Sequence, residues 1–292
     1  MNFESNNLEF SYAQISDVRL HYATAGTGEH LVVLLHGFPE FWYSWRHQIE
    51  ALSRDFTVVA PDLRGYNLSS KPLNVKDYEI DNLVDDVTGL IRHFGREQAA
   101  VVGHDWGAIV AWKTALKYPE YVWKLAALQV PPSGALQQNM TLRQFLASWY
   151  LFFFQIPRLP EWLMRRKDFA LLERVLTKTA TQNVFSSEDI AKYKKSWSED
   201  GAITAAVNYY RANVFKSFFG KTNLENSSGK IKVPTLFIYG EKDTAILPET
   251  VRNVQQFVDA PYLELRIPNA SHWVQQEAAT EVSDALLKFL KD

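Results

Sequence analysis

The chain has 292 residues, of which 47% are hydrophobic and 22% are charged, a balance that excludes intrinsic disorder. Its formal net charge is -2 and it has no strongly basic block, which argues against nucleic acid as a partner. The chain has no cysteine, which excludes disulfide bonds, thiol nucleophiles and cysteine-ligated metals.

Targeting signals and membrane segments are the next features to examine. Residues 1–8 are polar and acidic and lack the basic start and apolar core of a signal peptide. The longest apolar run, residues 149–154, is far shorter than the ~20 residues that a membrane helix needs. We therefore expect a cytoplasmic protein without membrane attachment.

Short apolar segments alternate with helical segments along the chain. In chain order, buried strands are expected at residues 18–23, 31–35, 57–60, 99–102, 125–130, 235–239 and 263–267. Helices with apolar side chains at helical spacing are expected at residues 80–94, 109–117 and 280–290. This alternation predicts an α/β fold, with right-handed crossovers and a mostly parallel sheet covered by helices on both faces.

The alternation stops at Pro131-Pro132. Residues 133–220 are helical in pattern and rich in aromatic residues, residues 221–229 are a polar return, and strands resume at Val233. The pattern predicts a core domain of residues 1–132 and 221–292, with residues 133–220 as a helical cap. An insertion at the carboxyl edge of the sheet is well placed to cover a ligand crevice.

The segment AAVVGHDWGA, residues 99–108, carries the first catalytic motif. A buried strand runs into Gly103-His104-Asp105-Trp106-Gly107, and a helix follows. This frame is typical of a nucleophile elbow, a sharp turn that presents its central side chain above the sheet. The central side chain is Asp105, which is ionised at neutral pH because a carboxyl has a pKa of ~3.9. The alternative is a glycine-rich turn whose aspartate only caps the helix.

An elbow nucleophile needs an acid and a histidine that follow it in that order. Asp243 follows the strand predicted at residues 235–239. His272 follows the strand predicted at residues 263–267. Because both positions come directly after parallel strands, we expect them to meet Asp105 at one edge of the sheet.

An elbow also needs an oxyanion hole, part of it from the loop after an early strand. The loop after residues 31–35 is HGFP, and the backbone N–H groups of Phe38 and Trp106 are the expected donors. We interpret His36 as a structural hydrogen-bonding residue of this loop. The other histidines have no such context and are interpreted as surface or structural groups: His21, His30, His47, His93 and His104.

With these motifs in place, the chain resembles epoxide hydrolases of the α/β-hydrolase superfamily over residues 18–289. The matching stretches are HGFPEFWYSWRHQ (36–48), PDLRGYNLSSKP (61–72), GHDWGA (103–108), GEKD (240–243) and SHWVQQE (271–277). HDWG alone is shared with haloalkane dehalogenases and does not separate the two families. The resemblance implies an α/β-hydrolase fold with a helical cap, and a reaction that needs no metal and no organic cofactor.

The resemblance also implies two cap tyrosines that hold the epoxide oxygen. One precedes a Phe-Gln pair, which places it at Tyr150 in WYLFFFQ, and the other precedes an arginine, which places it at Tyr210 in NYYR. Tyr209 is the alternative if the register is off by one. Either tyrosine is otherwise a core aromatic of the cap.

Further aromatic side chains suit an apolar substrate pocket, although packing within the cap is the other interpretation. The residues assigned to substrate binding are Phe38, Trp42, Trp106, Trp149 and Phe153. The chain departs from the family at two loop positions where glycine is usual, Asn67 and Ser271. Asparagine tolerates a left-handed backbone better than serine does.

The expected reaction converts an epoxide to a vicinal diol. Asp105 attacks an epoxide carbon while Tyr150 and Tyr210 protonate the oxygen, and water activated by His272 then hydrolyses the Asp105 ester. Asp243 orients the histidine. The implied partners are a small apolar epoxide and water, in detoxification or a catabolic step, and the oligomeric state stays open.

Two other functions are compatible with these residues. A haloalkane dehalogenase would use the same triad, with the indole of Trp106 bonded to the leaving halide. It does not need the two tyrosines and usually has asparagine where this chain has Phe38. The alternative of another class is a non-catalytic small-molecule binding protein on the same fold.

Overall fold

A central sheet forms the middle layer of the structure, a computed structural model that describes residues 8–181, 183–219 and 229–292. Within those residues, the sheet contains eight strands: β1 (Glu9–Ile15), β2 (Val18–Ala25), β3 (Leu31–Leu35), β4 (Thr57–Pro61), β5 (Ala99–His104), β6 (Val122–Leu128), β7 (Thr235–Gly240) and β8 (Tyr262–Ile267). Their spatial order is β1-β2-β4-β3-β5-β6-β7-β8. The first strand pairs antiparallel with β2 and β2 antiparallel with β4, and the pairs from β4 to β8 are parallel.

Helices surround this sheet. In chain order they are α1 (Arg46–Leu52), α2 (Ile80–His93), α3 (Trp106–Lys117), α4 (Ser133–Gln138), α5 (Leu142–Ala147), α6 (Trp149–Phe153), α7 (Leu159–Thr179), α8 (Ser187–Ser198), α9 (Ala202–Phe219), α10 (Val274–Glu277) and α11 (Ala279–Lys291). Non-helical backbone angles interrupt α7 between Arg166 and Phe169. No helix among the described residues is both long enough and apolar enough to cross a membrane.

The sheet is buried on both faces, which is why its central strands are continuous apolar runs. Alternate side chains of β3 and β5, such as Leu35 and Val101, join the helices α2 and α3 in one core cluster. Their neighbours Leu34 and Val102 join α1 and α11 in a second cluster on the opposite face. Burying each such side chain stabilises the fold by about 1.5–3 kcal/mol, which holds the strand ends in fixed positions.

Most predicted elements are confirmed within a few residues, with two corrections. The strand β1 was not predicted, because the first four residues of EFSYAQI are exposed and the strand presents no continuous apolar run. The strand predicted at residues 125–130 is wrong at both ends, since β6 spans Val122–Leu128. Gln129 leaves the strand with a positive φ of 68°.

The six helices from α4 to α9 lie between β6 and β7, as the helical pattern after Pro132 predicts. Division into a core of residues 1–132 and 221–292 and a cap of residues 133–220 is consistent with this order and stays a proposal. Residues 221–228 of the predicted polar return lie outside the described residues.

The contact between α3 and β3 generates a stability prediction. A Cβ at Gly107 would lie 2.0 Å from the carbonyl oxygen of Leu35, so Gly107→Ala must separate the helix from the strand. We expect a loss of about 3 kcal/mol in the free energy of unfolding, measured by urea denaturation. Gly229→Ala is the matched control, because among the described residues its Cβ would meet Leu116 Cδ1 alone, at 3.4 Å. Equal midpoints for the two variants would contradict the prediction.

Candidate active site

Asp105 occupies the turn between β5 and α3. Its backbone has φ 52° and ψ -117°, a conformation that L-residues rarely adopt. A Cβ at Gly103 would lie 2.1 Å from the carbonyl oxygen of Gly107, so the strand and the helix approach closely on each side of the turn. Strained backbone that surrounding structure enforces in this way is typical of a nucleophile elbow.

The loop after β3 lies against this carboxylate. The backbone N–H of Phe38 donates to Asp105 Oδ1 at 2.8 Å, so one predicted oxyanion donor already faces the carboxylate. Trp106 begins α3 directly after the elbow, and its role as second donor stays a prediction. His36 is buried and bonded to Gly37 O at 2.9 Å and to the N–H of Leu63 at 3.0 Å, which supports its interpretation as a structural residue.

His272 lies between two carboxylates. Its Nε2 is 3.6 Å from Asp105 Oδ2, and its Nδ1 is 2.8 Å from Asp243 Oδ2. The strands β7 and β8 bring these residues together, since each carries its loop at the carboxyl edge of the sheet. The three residues predicted as nucleophile, acid and base therefore meet at one place.

Asp243 is held by a set of hydrogen bonds that the sequence analysis did not find. The N–H groups of Ala245 and Ile246 donate to its Oδ1 at 2.7 and 3.0 Å. The side-chain amide of Gln129 donates to its Oδ2 at 2.7 Å and to Ser271 O at 2.9 Å. Gln129 was placed inside a strand, and its position just after a buried strand is the only sequence signal of this role.

The charges of the triad shift its pKa values. Burial alone would lower the pKa of His272, but the carboxylates of Asp243 and Asp105 outweigh it and raise that pKa well above its usual value. Burial alone would raise the pKa of Asp105, but His272, His104 and the N–H of Phe38 hold it below its usual range. These opposite shifts favour an imidazolium beside an ionised Asp105.

A second buried pair, His104 and Glu40, lies against the backbone of His272. His104 is bonded through Nδ1 to Glu40 Oε2 at 2.9 Å and through Nε2 to the carbonyl oxygen of His272 at 2.7 Å. The amides of Gln275 and Gln276 donate to the same Glu40 carboxylate. These bonds support the interpretation of His104 as a structural residue. The role of Glu40 was not predicted, and its place in the HGFPE stretch is its sequence signal.

The two cap tyrosines lie over the elbow. The ring of Tyr210 is 5.1 Å from Trp106 and 5.6 Å from Phe38, and the rings of Tyr150 and Tyr210 are 6.1 Å apart. Tyr209 would be the second tyrosine if the register were off by one. Its hydroxyl donates to Arg64 O at 2.7 Å, so Tyr209 is a hydrogen-bonded residue of the core. This arrangement favours Tyr210 as the second tyrosine of the site.

Both tyrosines stay protonated over a wide pH range. Burial, followed by the negative charges of Asp105 and Asp243, raises the pKa of Tyr150 above its ordinary value. Burial, Asp105 and Tyr150 raise the pKa of Tyr210, although a hydrogen bond with the Trp106 side chain opposes the shift. Two neutral phenols can therefore donate hydrogen bonds to an oxygen atom between them.

The residues assigned to substrate binding fall into two groups. Phe38 and Trp106 contact Tyr210, and Phe153 reaches the site through its ring contact with Phe154 at 5.8 Å. Trp149 is 63% exposed, and its ring contacts Phe153 at 5.7 Å, one residue further from Tyr210.

Trp42 also lies apart from the aromatic side chains around Tyr210. Its ring packs against Phe10, Phe41 and Tyr43, with centroid distances of 5.0, 5.9 and 5.6 Å. None of the ring contacts found in the described part of the chain joins Trp42 to the tyrosines or to His272. Direct contact of Trp42 or Trp149 with substrate therefore has no support in the structure.

The two departures from the family's usual glycines have different consequences. Asn67 has a φ of 40°, the left-handed backbone that asparagine tolerates. Ser271 is not among the residues with positive φ, and its hydroxyl makes hydrogen bonds instead. In the described ranges, no cluster of three or more His, Asp or Glu side chains is arranged to hold a metal ion.

Known proteins are similar to this chain in sequence and in fold. A family model described as alpha/beta hydrolase fold matches residues 30–279. Epoxide hydrolase 3 of Xenopus tropicalis is 38% identical, over 95% of this chain and 76% of that protein. Epoxide hydrolase A of Mycobacterium tuberculosis is 34% identical, over 94% of each.

Solved structures agree with these relatives. The crystal structure of Bacillus megaterium epoxide hydrolase in complex with an inhibitor is 33% identical, with a TM-score of 0.86, and the match covers 97% of this chain and 100% of that one. Epoxide Hydrolase A from Mycobacterium thermoresistibile is 30% identical, with a TM-score of 0.85, over 97% and 98% of the two chains. This chain therefore belongs to the α/β-hydrolase fold family and, within it, to the epoxide hydrolases.

The charges of the triad generate a prediction for Asp105→Asn. This variant removes one of the two carboxylates that raise the pKa of His272, so we expect that pKa to fall towards its ordinary value. Nuclear magnetic resonance of the labelled imidazole, followed through a pH titration, measures the change. Asp284→Asn, at an exposed position of α11, is the control and should leave the His272 titration unchanged. An unchanged His272 pKa in Asp105→Asn would show that Asp105 does not act on it.

Proposed function

We propose that this chain converts epoxides to vicinal diols through a covalent ester on Asp105. The observation that carries the proposal is an ionised carboxylate 3.6 Å from His272 Nε2, near enough to two neutral phenols for its charge to raise their pKa values. The names of its relatives support the same reaction. The aromatic side chains around Tyr210, including Phe38 and Phe154, suit a small apolar substrate.

The first half-reaction forms the ester. Asp105 Oδ1 is occupied by the N–H of Phe38, so Oδ2 is the oxygen that attacks an epoxide carbon. The carbon–oxygen bond of the ring breaks as the new bond forms, and its electron pair goes to the epoxide oxygen. Tyr150 and Tyr210 hold this oxygen, and one of them gives it a proton.

The second half-reaction hydrolyses the ester. Once Asp105 is esterified, its negative charge is gone and the pKa of His272 falls. The imidazolium passes its extra proton through solvent to the tyrosine left as a phenolate, and the neutral imidazole then takes a proton from water. The hydroxide adds to the ester carbonyl, and the N–H of Phe38 stabilises the oxyanion. The intermediate then expels the diol oxygen, which takes a proton from His272. The carboxylic acid left on Asp105 gives its proton to the neutral imidazole, which restores the ionised Asp105 and the imidazolium.

The two alternatives are less well supported. A dehalogenase needs no proton donor at the elbow, whereas the proposed site has two neutral phenols, the buried Tyr210 and the partly buried Tyr150. A binding protein has no need of an imidazole that is held by Asp243 and aimed at Asp105. The cytoplasmic location and the absence of a metal, an organic cofactor or a nucleic-acid partner stay predictions of the sequence.

Product analysis tests the function. With styrene oxide, the wild type should form the diol, Asp105→Ala should form none, and His272→Ala should retain one substrate per chain as an ester seen by intact-protein mass spectrometry. With 1-bromobutane, no bromide release is expected. Asp284→Ala is the control for general damage. Bromide without diol would establish the dehalogenase, and neither product from a folded wild type would favour the binding protein.

The tyrosine pair generates a separate prediction. Tyr150→Phe removes one donor to the epoxide oxygen, so we expect kcat/KM for styrene oxide to fall by a factor of ~100. Tyr210→Phe should have an effect of similar size, measured by diol formation under the same conditions. Tyr209→Phe is the matched control for the neighbouring ring and should retain most of the activity of the folded protein. A larger loss in Tyr209→Phe than in Tyr210→Phe would reverse the assignment.

A further inference from the structure

The C-terminal end of cap helix α7 lies against the loop that carries His272. The carbonyl oxygen of Thr179, the last residue of α7, accepts a hydrogen bond from Ser271 Oγ at 2.7 Å. The hydroxyl of Thr179 accepts another from the indole N–H of Trp273 at 2.8 Å. Both chain neighbours of His272 are therefore bonded to the same end of the cap.

The carboxyl group of Glu277 joins these two segments. The N–H groups of Ser271 and Trp273 donate to it at 3.1 and 3.2 Å, and the N–H of Thr181 donates at 3.0 Å. The hydroxyls of Ser271 and Thr181 also contact it. Loop and cap thus converge on one buried side chain.

The hydrogen-bond donors to Glu277 in the described part of the chain are all neutral groups. Within the described ranges, no lysine, arginine or histidine lies within ion-pair distance of it. Hydrogen bonds to a charged group are stronger than those between neutral groups, and a buried group that loses its partner is costly. Movement of either the loop or the cap end would leave this carboxyl group short of donors, so Glu277 favours one arrangement of both.

We propose that Glu277 is a positioning residue that couples the cap to His272. The inference rests on the proposed function. The bonds from Glu277 to Ser271 and Trp273 hold the backbone on either side of the imidazole, and those to Thr181 make that position depend on the docked cap. Ser271, where the family usually has glycine, supplies the hydroxyl that contacts both Thr179 and Glu277.

The two half-reactions depend on the hydrogen bonds of Glu277 to different degrees. Ester formation uses Asp105 and the cap tyrosines, none of which contacts Glu277. Ester hydrolysis needs His272 Nε2 within reach of a water at the Asp105 ester, and a displacement of about 1 Å can cost a factor of 100 in rate. Weakening the hydrogen bonds of Glu277 should therefore slow ester hydrolysis more than ester formation.

Quenched-flow mass spectrometry of the full chain with styrene oxide measures the two steps separately. In Glu277→Gln we expect the rate of ester formation to stay within threefold of the wild type. The rate of ester hydrolysis should fall at least tenfold, so that the ester accumulates and kcat and KM fall together. Thr181→Val, which removes only the cap hydroxyl, should show the same split with a smaller loss, and it keeps the test available if Glu277→Gln does not fold.

Glu281→Gln is the matched control, since Glu281 is exposed on the next helix. A merely stabilising role for Glu277 would lower the melting temperature and the active fraction but leave the ratio of the two rates unchanged, which would overturn the inference. Equal ester accumulation in Glu277→Gln, Thr181→Val and Glu281→Gln would also overturn it, while the wild type still forms diol. A wild type that forms neither ester nor diol would overturn the proposed function, and this inference with it.

Discussion

One buried imidazole held between two carboxylates is the constraint on which the site depends. His272 has Asp243 at 2.8 Å on one side and Asp105 at 3.6 Å on the other. Two buried anions repel each other and lose their hydration, so they are stable together only with a cation or several donors between them. The backbone N–H groups at Ala245 and Ile246 serve Asp243, and that of Phe38 serves Asp105.

The same constraint gives His272 both states that the proposed mechanism needs. While Asp105 is ionised, two negative charges favour the imidazolium. In the proposed mechanism, esterification of Asp105 removes one of these charges when a base is needed. The covalent step itself would then drive the change in protonation.

The cap supplies more than a cover for the site. The indole N–H of Trp197 in α8 donates to Pro39 O at 2.6 Å, next to the Phe38 donor. Tyr43 of the core donates to Asp189 of the same helix at 2.8 Å. Together with the bonds at Glu277, these contacts join the segments proposed as the cap to both loops that the proposed reaction uses. In that mechanism, the position of the cap and the geometry of the reacting groups depend on the same hydrogen bonds.

Much of the fold could be predicted from local pattern. Continuous apolar runs identified β3 and β5, because strands buried on both faces need apolar residues at every position. The exposed edge strand β1 was missed for the converse reason. The end of β6 was misplaced at Gln129, whose buried amide has no distinctive local pattern. The sequence around aromatic residues such as Trp149 does not indicate whether their side chains face the site or the solvent.

The sequence by itself determined the fold class, the elbow at Asp105 and the order in which Asp243 and His272 follow it, because periodicity and motif spacing are local properties of a chain. Only the tertiary structure decided which polar groups support them. The bond of Gln129 to Asp243 spans 114 positions, and that of His104 to His272 spans 168. Such partners are chosen by packing between distant segments, where burial makes each unpaired donor or acceptor costly, and no local pattern encodes that choice.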